Sequence, residues 1–191
     1  MTRELDDCRL EADDHIAILT LDRPDARNAY SQAMIASMLK AFDHVEADDD
    51  IRVLVITGEG SAFSAGGDLK LMRDHAGMFA GEPAQLREGY LDGIHQIPRR
   101  LERFRKPLVG AINGHAIGAG LDLACMCDIR VGSRRAKFGS TFVKLGLIPG
   151  DGGAYFLARA IGFSRALELV LTGRIFEAVE AEKLGLLHEM V

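Results

Sequence analysis

Pro107-Leu108-Val109-Gly110-Ala111-Ile112, Asn113-Gly114-His115-Ala116-Ile117-Gly118-Ala119-Gly120 and Leu121-Asp122-Leu123-Ala124-Cys125-Met126-Cys127 follow one another without interruption. The first is an apolar run of strand length, the second a glycine-rich turn, the third a short helix. The same order stands upstream. Val53-Leu54-Val55-Ile56-Thr57-Gly58 reads as a strand covered on both faces. A loop of small residues, Glu59 to Asp68, then leads into Leu69-Lys70-Leu71-Met72.

Further out, His15 to Asp22 alternates like a half-buried strand, and Arg23-Pro24-Asp25 makes a turn. Ser31 can cap a helix to about Ala47 with Met34, Ile35, Met38, Leu39, Phe42 and Val45 on one face. Residues 74–83 hold two glycines and a proline, and are expected to be mobile. A helix is predicted from about Gln85 to Phe104, strands at Asp128 to Gly132 and Lys137 to Gly139, and helices at Asp151 to Ala160, Ser164 to Leu171 and Glu177 to Leu184. Repeated strand, glycine-rich turn and helix point to an α/β fold. With no linker or low-complexity tract, residues 1–191 read as one domain.

Two of the turns share a design: Ser61-Ala62-Phe63-Ser64-Ala65-Gly66-Gly67-Asp68-Leu69, and Asn113 to Asp122. Small residues let a ligand approach the backbone closely. N–H groups at a helix start lack intrahelical partners and favour negative charge. Two such turns meeting at one oxygen would make an oxyanion hole, where one donor contributes about 3 kcal/mol to transition-state stabilisation.

Phe63-Ser64-Ala65-Gly66-Gly67-Asp68-Leu69, Lys106-Pro107, Ala111-Ile112-Asn113-Gly114, Gly118-Ala119-Gly120, Asp128-Ile129, Phe138-Gly139 and Leu145-Gly146-Leu147-Ile148-Pro149-Gly150-Asp151-Gly152-Gly153 together resemble the crotonase (enoyl-CoA hydratase/isomerase) superfamily. The likeness runs from Ile16 to Val191. It implies a spiral of ββα units and a coenzyme A thioester whose carbonyl oxygen sits between the N–H groups of Gly67 and Ala119. Ala26, Arg27 and the run Ala65, Gly66, Gly67, Asp68, Leu69 match positions that contact coenzyme A in that family. Gly118 and Phe142 fall at the substrate. Coenzyme A belongs to the substrate, so no separate cofactor is implied. The family continues for several helices beyond Gly185 to Val191, so the C-terminal helical part is expected to be missing here. A homotrimer or hexamer is expected from the resemblance alone.

The proton-transfer residues depart from the family. Its hydratases use two glutamates, which match Asp122 and Phe142 here. Asp122 lies three residues after Ala119, about one helical turn along. Phenylalanine cannot move a proton, which puts two-carboxylate hydration in doubt. Asp151 lies where some related isomerases carry an aspartate, and a carboxylate walled by Phe142 would have a raised pKa suited to acid–base work. The bland alternatives are an N-cap for Asp151 and a solvated first-turn acid for Asp122. His115 and His75 are weaker candidates. The acyl pocket is expected to be shaped by Met72 to Tyr90.

Other chemistries lack their signatures. Ser64 is not in a G-x-S-x-G elbow, and no dinucleotide or P-loop glycine motif occurs. Net charge is −5, which opposes nucleic-acid binding. The basic run Arg99 to Lys106 reads as a solvated helix face. No apolar run approaches a membrane span. Cys8, Cys125 and Cys127 have no framework spacing, so buried thiols in a reducing, cytoplasmic setting are expected, with no metal. The leading expectation is an enoyl-CoA hydratase/isomerase-type enzyme of fatty acid metabolism. The alternative is a catalytically silent acyl-CoA-binding protein.

Overall fold

A computed structural model describes residues 2–191. The chain opens with an antiparallel hairpin, β1 (Thr2–Leu5) and β2 (Cys8–Asp13). Then come β3 (Ile16–Leu21), β4 (Ala29–Tyr30) and α1 (Gln32–Ala47). The next unit is β5 (Val53–Gly58), β6 (Ala62–Ser64), β7 (Gly66–Gly67) and α2 (Leu69–Arg73). Two helices follow, α3 (Pro83–Asp92) and α4 (Gln96–Leu101). A third unit is β8 (Leu108–Ile112), β9 (His115–Ile117) and α5 (Ala119–Met126). The last is β10 (Ile129–Gly132), β11 (Lys137–Gly139), α6 (Gly153–Ile161) and α7 (Phe163–Thr172), closed by β12 (Phe176–Glu177), α8 (Ala178–Lys183) and β13 (Glu189–Met190).

The strands form a seven-stranded sheet in the order β1-β2-β3-β5-β8-β10-β13, a four-stranded sheet β12-β11-β9-β6 and a two-stranded pair β4-β7. Each unit therefore sends one strand to the large sheet and one shorter strand, or two in the case of β6 and β7, to the smaller sheets before its helix. This is the expected spiral of ββα units, repeated in structure although not in sequence. The glycine-rich turns of the sequence reading contain β6, β7 and β9. At two or three residues these strands are too short to show alternation.

α1 forms as its spacing predicts. Ser31 accepts from the Met34 N–H at 2.9 Å, and Met34, Met38, Phe42 and Val45 are fully buried against the large sheet. Burying a side chain of that size contributes about 1.5–3 kcal/mol. In β5 only one face is closed: Leu54, Ile56 and Gly58 are buried, while Val53, Val55 and Thr57 are half-buried. Ile16, Ile18 and Ile129 on the same outer face are exposed. The two-sided cover predicted for this strand is therefore corrected to one-sided.

The basic run is a solvated face only in part: Arg103 and Arg105 are exposed, whereas Arg100 and Lys106 turn back onto α1. Arg100 pairs with Asp43 and Glu46 of α1, each at 2.8 Å. Lys106 Nζ donates to the carbonyls of Val45, Asp48 and Ile51 at 2.5–2.7 Å. A cation on the free carbonyls at a helix C-terminus satisfies both the orphan acceptors and the dipole.

The predicted helix from Gln85 to Phe104 is two helices. Pro98 has no N–H and its ring excludes a helical carbonyl four residues earlier, at Ile94. Gly93 takes φ −107° and ψ −111°, where the chain breaks. Within residues 74–83, Met78 and Phe79 are buried in a 3-10 turn at Gly77–Phe79.

Candidate active site

The two glycine turns meet. Gly66 of β7 has φ +77°, and a Cβ there would lie 2.6 Å from the Ile117 carbonyl oxygen and 2.7 Å from the Ala119 nitrogen. A Cβ at Gly120 would lie 2.1 Å from the Ser64 carbonyl oxygen. Only glycine permits this approach of β7 to the start of α5. α5 has no side-chain cap at Gly118, so the Ala119 N–H at its first position has no intrahelical acceptor.

Gly67 and Ala119 both face a cavity of about 380 Å³. Its walls are apolar: Met72, Phe79, Ile94, Phe142, Leu145 and Ile148 are among them, and Asp151 opens into it. Met72, Phe79 and Tyr90 come from the stretch expected to shape an acyl pocket. Gly118 and Phe142 line it as expected, with the Phe142 ring 3.8 Å from where a Gly118 Cβ would stand.

A second hollow of about 830 Å³ shares Ala65 and Gly67 with the first. Ala26, Arg27, Asp68 and Leu69 line it, together with Arg23, Lys70, His115 and Lys137. Arg27 takes the left-handed conformation, φ 53°, at the end of a 3-10 turn over Pro24–Ala26. Asp68 caps α2 through the N–H groups of Lys70 and Leu71 and pairs with Arg23 at 3.0 Å. These donors hold its carboxyl below the ordinary range despite its burial. Gly66, between the two hollows, lies against the start of α5.

The two candidate aspartates are placed differently. Asp151 is not an N-cap: α6 starts at Gly153, with Gly152 at φ 105° before it and no side-chain cap. Its side chain is instead free to face the cavity, and burial pushes its carboxyl up to about 6. Asp122 is fully buried and does not line the cavity. Its carboxyl fills the space beside Gly153, where a Cβ would be 2.2 Å from Oδ1. Burial first, and then the neighbouring Asp151, push its pKa well above the ordinary range, while the Gly153 N–H offsets this in part. Asp122 is thus a buried acid rather than a solvated one.

His95 was missed from sequence. It lines the cavity with its Nε2 3.4 Å from Asp151 Oδ1. The signal was present as Gly93, where α3 ends, and Pro98 in the first turn of α4. His75 is exposed and lines neither hollow. Cys8, Cys125 and Cys127 are free and buried, and burial raises all three thiols. Among the described residues, no group of three His, Cys, Asp or Glu side chains could hold a metal ion, and no helix is long and apolar enough to cross a membrane.

Comparison with known proteins identifies the family. Residues 11–191 match the enoyl-CoA hydratase/isomerase family. A Dictyostelium discoideum protein named "probable enoyl-CoA hydratase, mitochondrial" is 42% identical over 92% of the chain, which spans 60% of that relative's length. The 2,3-dehydroadipyl-CoA hydratase of Escherichia coli is 37% identical over 92% of the chain and 65% of its own. The solved structure of an enoyl-CoA hydratase from Bacillus anthracis superposes with a TM-score of 0.89 at 33% identity, over 97% of this chain and 70% of that one. The chain belongs to the enoyl-CoA hydratase/isomerase family.

Proposed function

We propose that the protein acts on acyl-CoA thioesters as an enoyl-CoA hydratase/isomerase-type enzyme, moving a proton with Asp151 at an enolate held by Gly67 and Ala119. One observation carries the reading: two backbone donors and a single accessible carboxylate share one apolar cavity. The thioester oxygen accepts from the N–H groups of Gly67 and Ala119. The ionised Asp151 takes a proton from the α- or γ-carbon, the C–H pair of electrons passes into the enolate, and the same proton returns to the other carbon. That shifts a double bond with one acid–base group. Phe142 offers no second carboxylate to activate water, so isomerisation is favoured over hydration.

Incubation with 2-enoyl-CoA and 3-enoyl-CoA, followed by thioester absorbance and product mass, tests this. Turnover of at least one is expected; binding without turnover of either overturns it and leaves an acyl-CoA-binding protein, the reading Phe142 favours. Deuterium exchange at the α-carbon of a bound acyl-CoA separates the two, since a pure binder does not catalyse it.

Asp151 must be ionised to act as base. With its carboxyl at about 6, kcat/KM is expected to climb through that pH and level off above it. A profile flat from about pH 5 to 8 would remove Asp151 from the reaction.

Coenzyme A enters with the substrate along the hollow lined by Arg23, Ala26, Arg27, Lys70 and Lys137, whose cations suit its phosphates. No separate cofactor, nucleic acid or membrane partner is proposed. A homotrimer or hexamer is proposed as the assembly, supported by the exposed stripe Phe163, Leu167 and Leu171 along α7. Sedimentation as a monomer would refute it. Three free thiols suit a reducing compartment such as the cytoplasm.

A further inference from the structure

The break between α3 and α4 turns His95 toward the acyl cavity. Its side chain is 25% exposed and that of Asp151 10%, and His95 Nε2 lies 3.4 Å from Asp151 Oδ1. Among the described residues His95 is the one N–H-bearing side chain paired with Asp151. The imidazole is itself held. Its ring packs on Tyr90 at 5.6 Å, and Tyr90 packs edge-on against Phe79 at 5.9 Å. The Phe79 ring lies 3.9 Å from where a Cβ at Gly67 would stand. An aromatic row, Phe79–Tyr90–His95, thus spans the cavity from one oxyanion donor to the carboxyl that faces it.

We propose that His95 is a positioning residue for this site: its Nε2–H donates to Asp151 and fixes the carboxyl so that the other oxygen faces the substrate carbons. This rests on the reading of Asp151 as the proton carrier. A carboxylate with no partner in an apolar cavity can rotate away from a C–H bond, whereas a charge-assisted hydrogen bond fixes its plane. The row Phe79–Tyr90–His95 ties that plane to the position of Gly67.

The charged and titratable groups around the ring come from each neighbouring element. Tyr90 belongs to α3 and Arg99 to α4, Asp122 lies behind Asp151 on α5, and Lys144 lines the cavity from the 3-10 turn at Thr141–Leu145. Burial, and after it Arg99, hold the imidazole below its ordinary range, so the ring serves as a neutral donor at neutral pH.

The test uses His95→Leu, His95→Gln and Asp151→Asn in the full chain, with 2-enoyl-CoA and 3-enoyl-CoA. In His95→Leu, kcat is expected to fall about 10- to 100-fold with KM within about 3-fold, because a donor to a charged group is lost. The acidic limb of its pH profile moves up, since the carboxylate loses a stabilising partner. Gln places an N–H donor at similar reach and should restore most of kcat. A His95→Leu enzyme with unchanged kcat and profile overturns the proposal, and so does a folded His95→Gln enzyme as slow as His95→Leu. A readout without turnover is the His95 ring titration by NMR. It should move to lower pH in Asp151→Asn, and an unmoved titration overturns the pairing. If the wild-type protein turns over neither substrate, the catalytic reading fails while this titration still decides the pairing.

Discussion

Replacing Asp151 by Asn is expected to lower kcat for enoyl-CoA turnover by about 10²- to 10⁴-fold while making the protein more stable. The activity loss follows from removing the one carboxylate that opens into the cavity. The stability gain follows from linkage. Burial raises the folded-state pKa of Asp151 from 3.8 to about 6. A raised carboxyl favours the fold fully below its unfolded pKa, and that contribution is lost as pH rises through the folded value. At pH 7 and above the ionised carboxylate therefore costs on the order of 2–3 kcal/mol, which Asn does not. In a domain of this size that is roughly 5–10 °C in Tm. The gain should shrink to about half near pH 5 and vanish below about pH 4. Melting curves of both proteins at three pH values, beside kcat, check the pair of effects. Full activity in Asp151→Asn, or equal melting at neutral pH, would remove Asp151 from its assigned place.

Gly66→Ala is expected to cost about 10²- to 10³-fold in kcat, the scale of losing an oxyanion-hole donor. The new Cβ would meet the Ile117 carbonyl oxygen at 2.6 Å and the Ala119 nitrogen at 2.7 Å, both backbone atoms that cannot swing aside. Either β7 or the first turn of α5 must shift, and the two N–H groups no longer converge. Left-handed backbone at φ +77° adds a stability cost of about 1 kcal/mol or more. Gly185→Ala separates the two effects. Its φ is +81°, yet nothing lies within 4 Å of the added carbon. That variant should lose stability and keep kcat. If Gly66→Ala keeps kcat as well, the two turns do not form the reacting site.

Much of this was readable from residues because local and global signals agreed. The apolar run Leu108–Ile112, the glycines after it and the helix from Ala119 each fit one state, and the same order recurs around Gly66 and Gly67. The site was legible where it is made of backbone, since small residues at a helix start declare exposed N–H groups. It was less legible where it is made of side chains brought from afar. Spacing put Asp122 one turn beyond Ala119, but whether a carboxyl there reaches the cavity depends on α6, which covers it. His95 depended on a helix break whose two causes, Gly93 and Pro98, were each small against a long helical pattern. β1 lies at the sheet edge with no buried face, whereas β2 does alternate, with Cys8 and Leu10 buried and Arg9 and Glu11 half-buried, a pattern the sequence reading passed over.

The carboxyl of Asp122 occupying the space of a Gly153 side chain has a consequence for how this protein can change. The two positions form a lock: lengthening residue 122 to glutamate, or adding any carbon at residue 153, requires the first turn of α6 to move. Asp151 stands two residues before that turn, so it would move too. Substitutions at 122, 151 and 153 should therefore be strongly non-additive, with Asp122→Glu harmful alone and tolerated only in a background that has already shifted α6. New chemistry in this cavity is reached through that helix start before it is reached through any single acid.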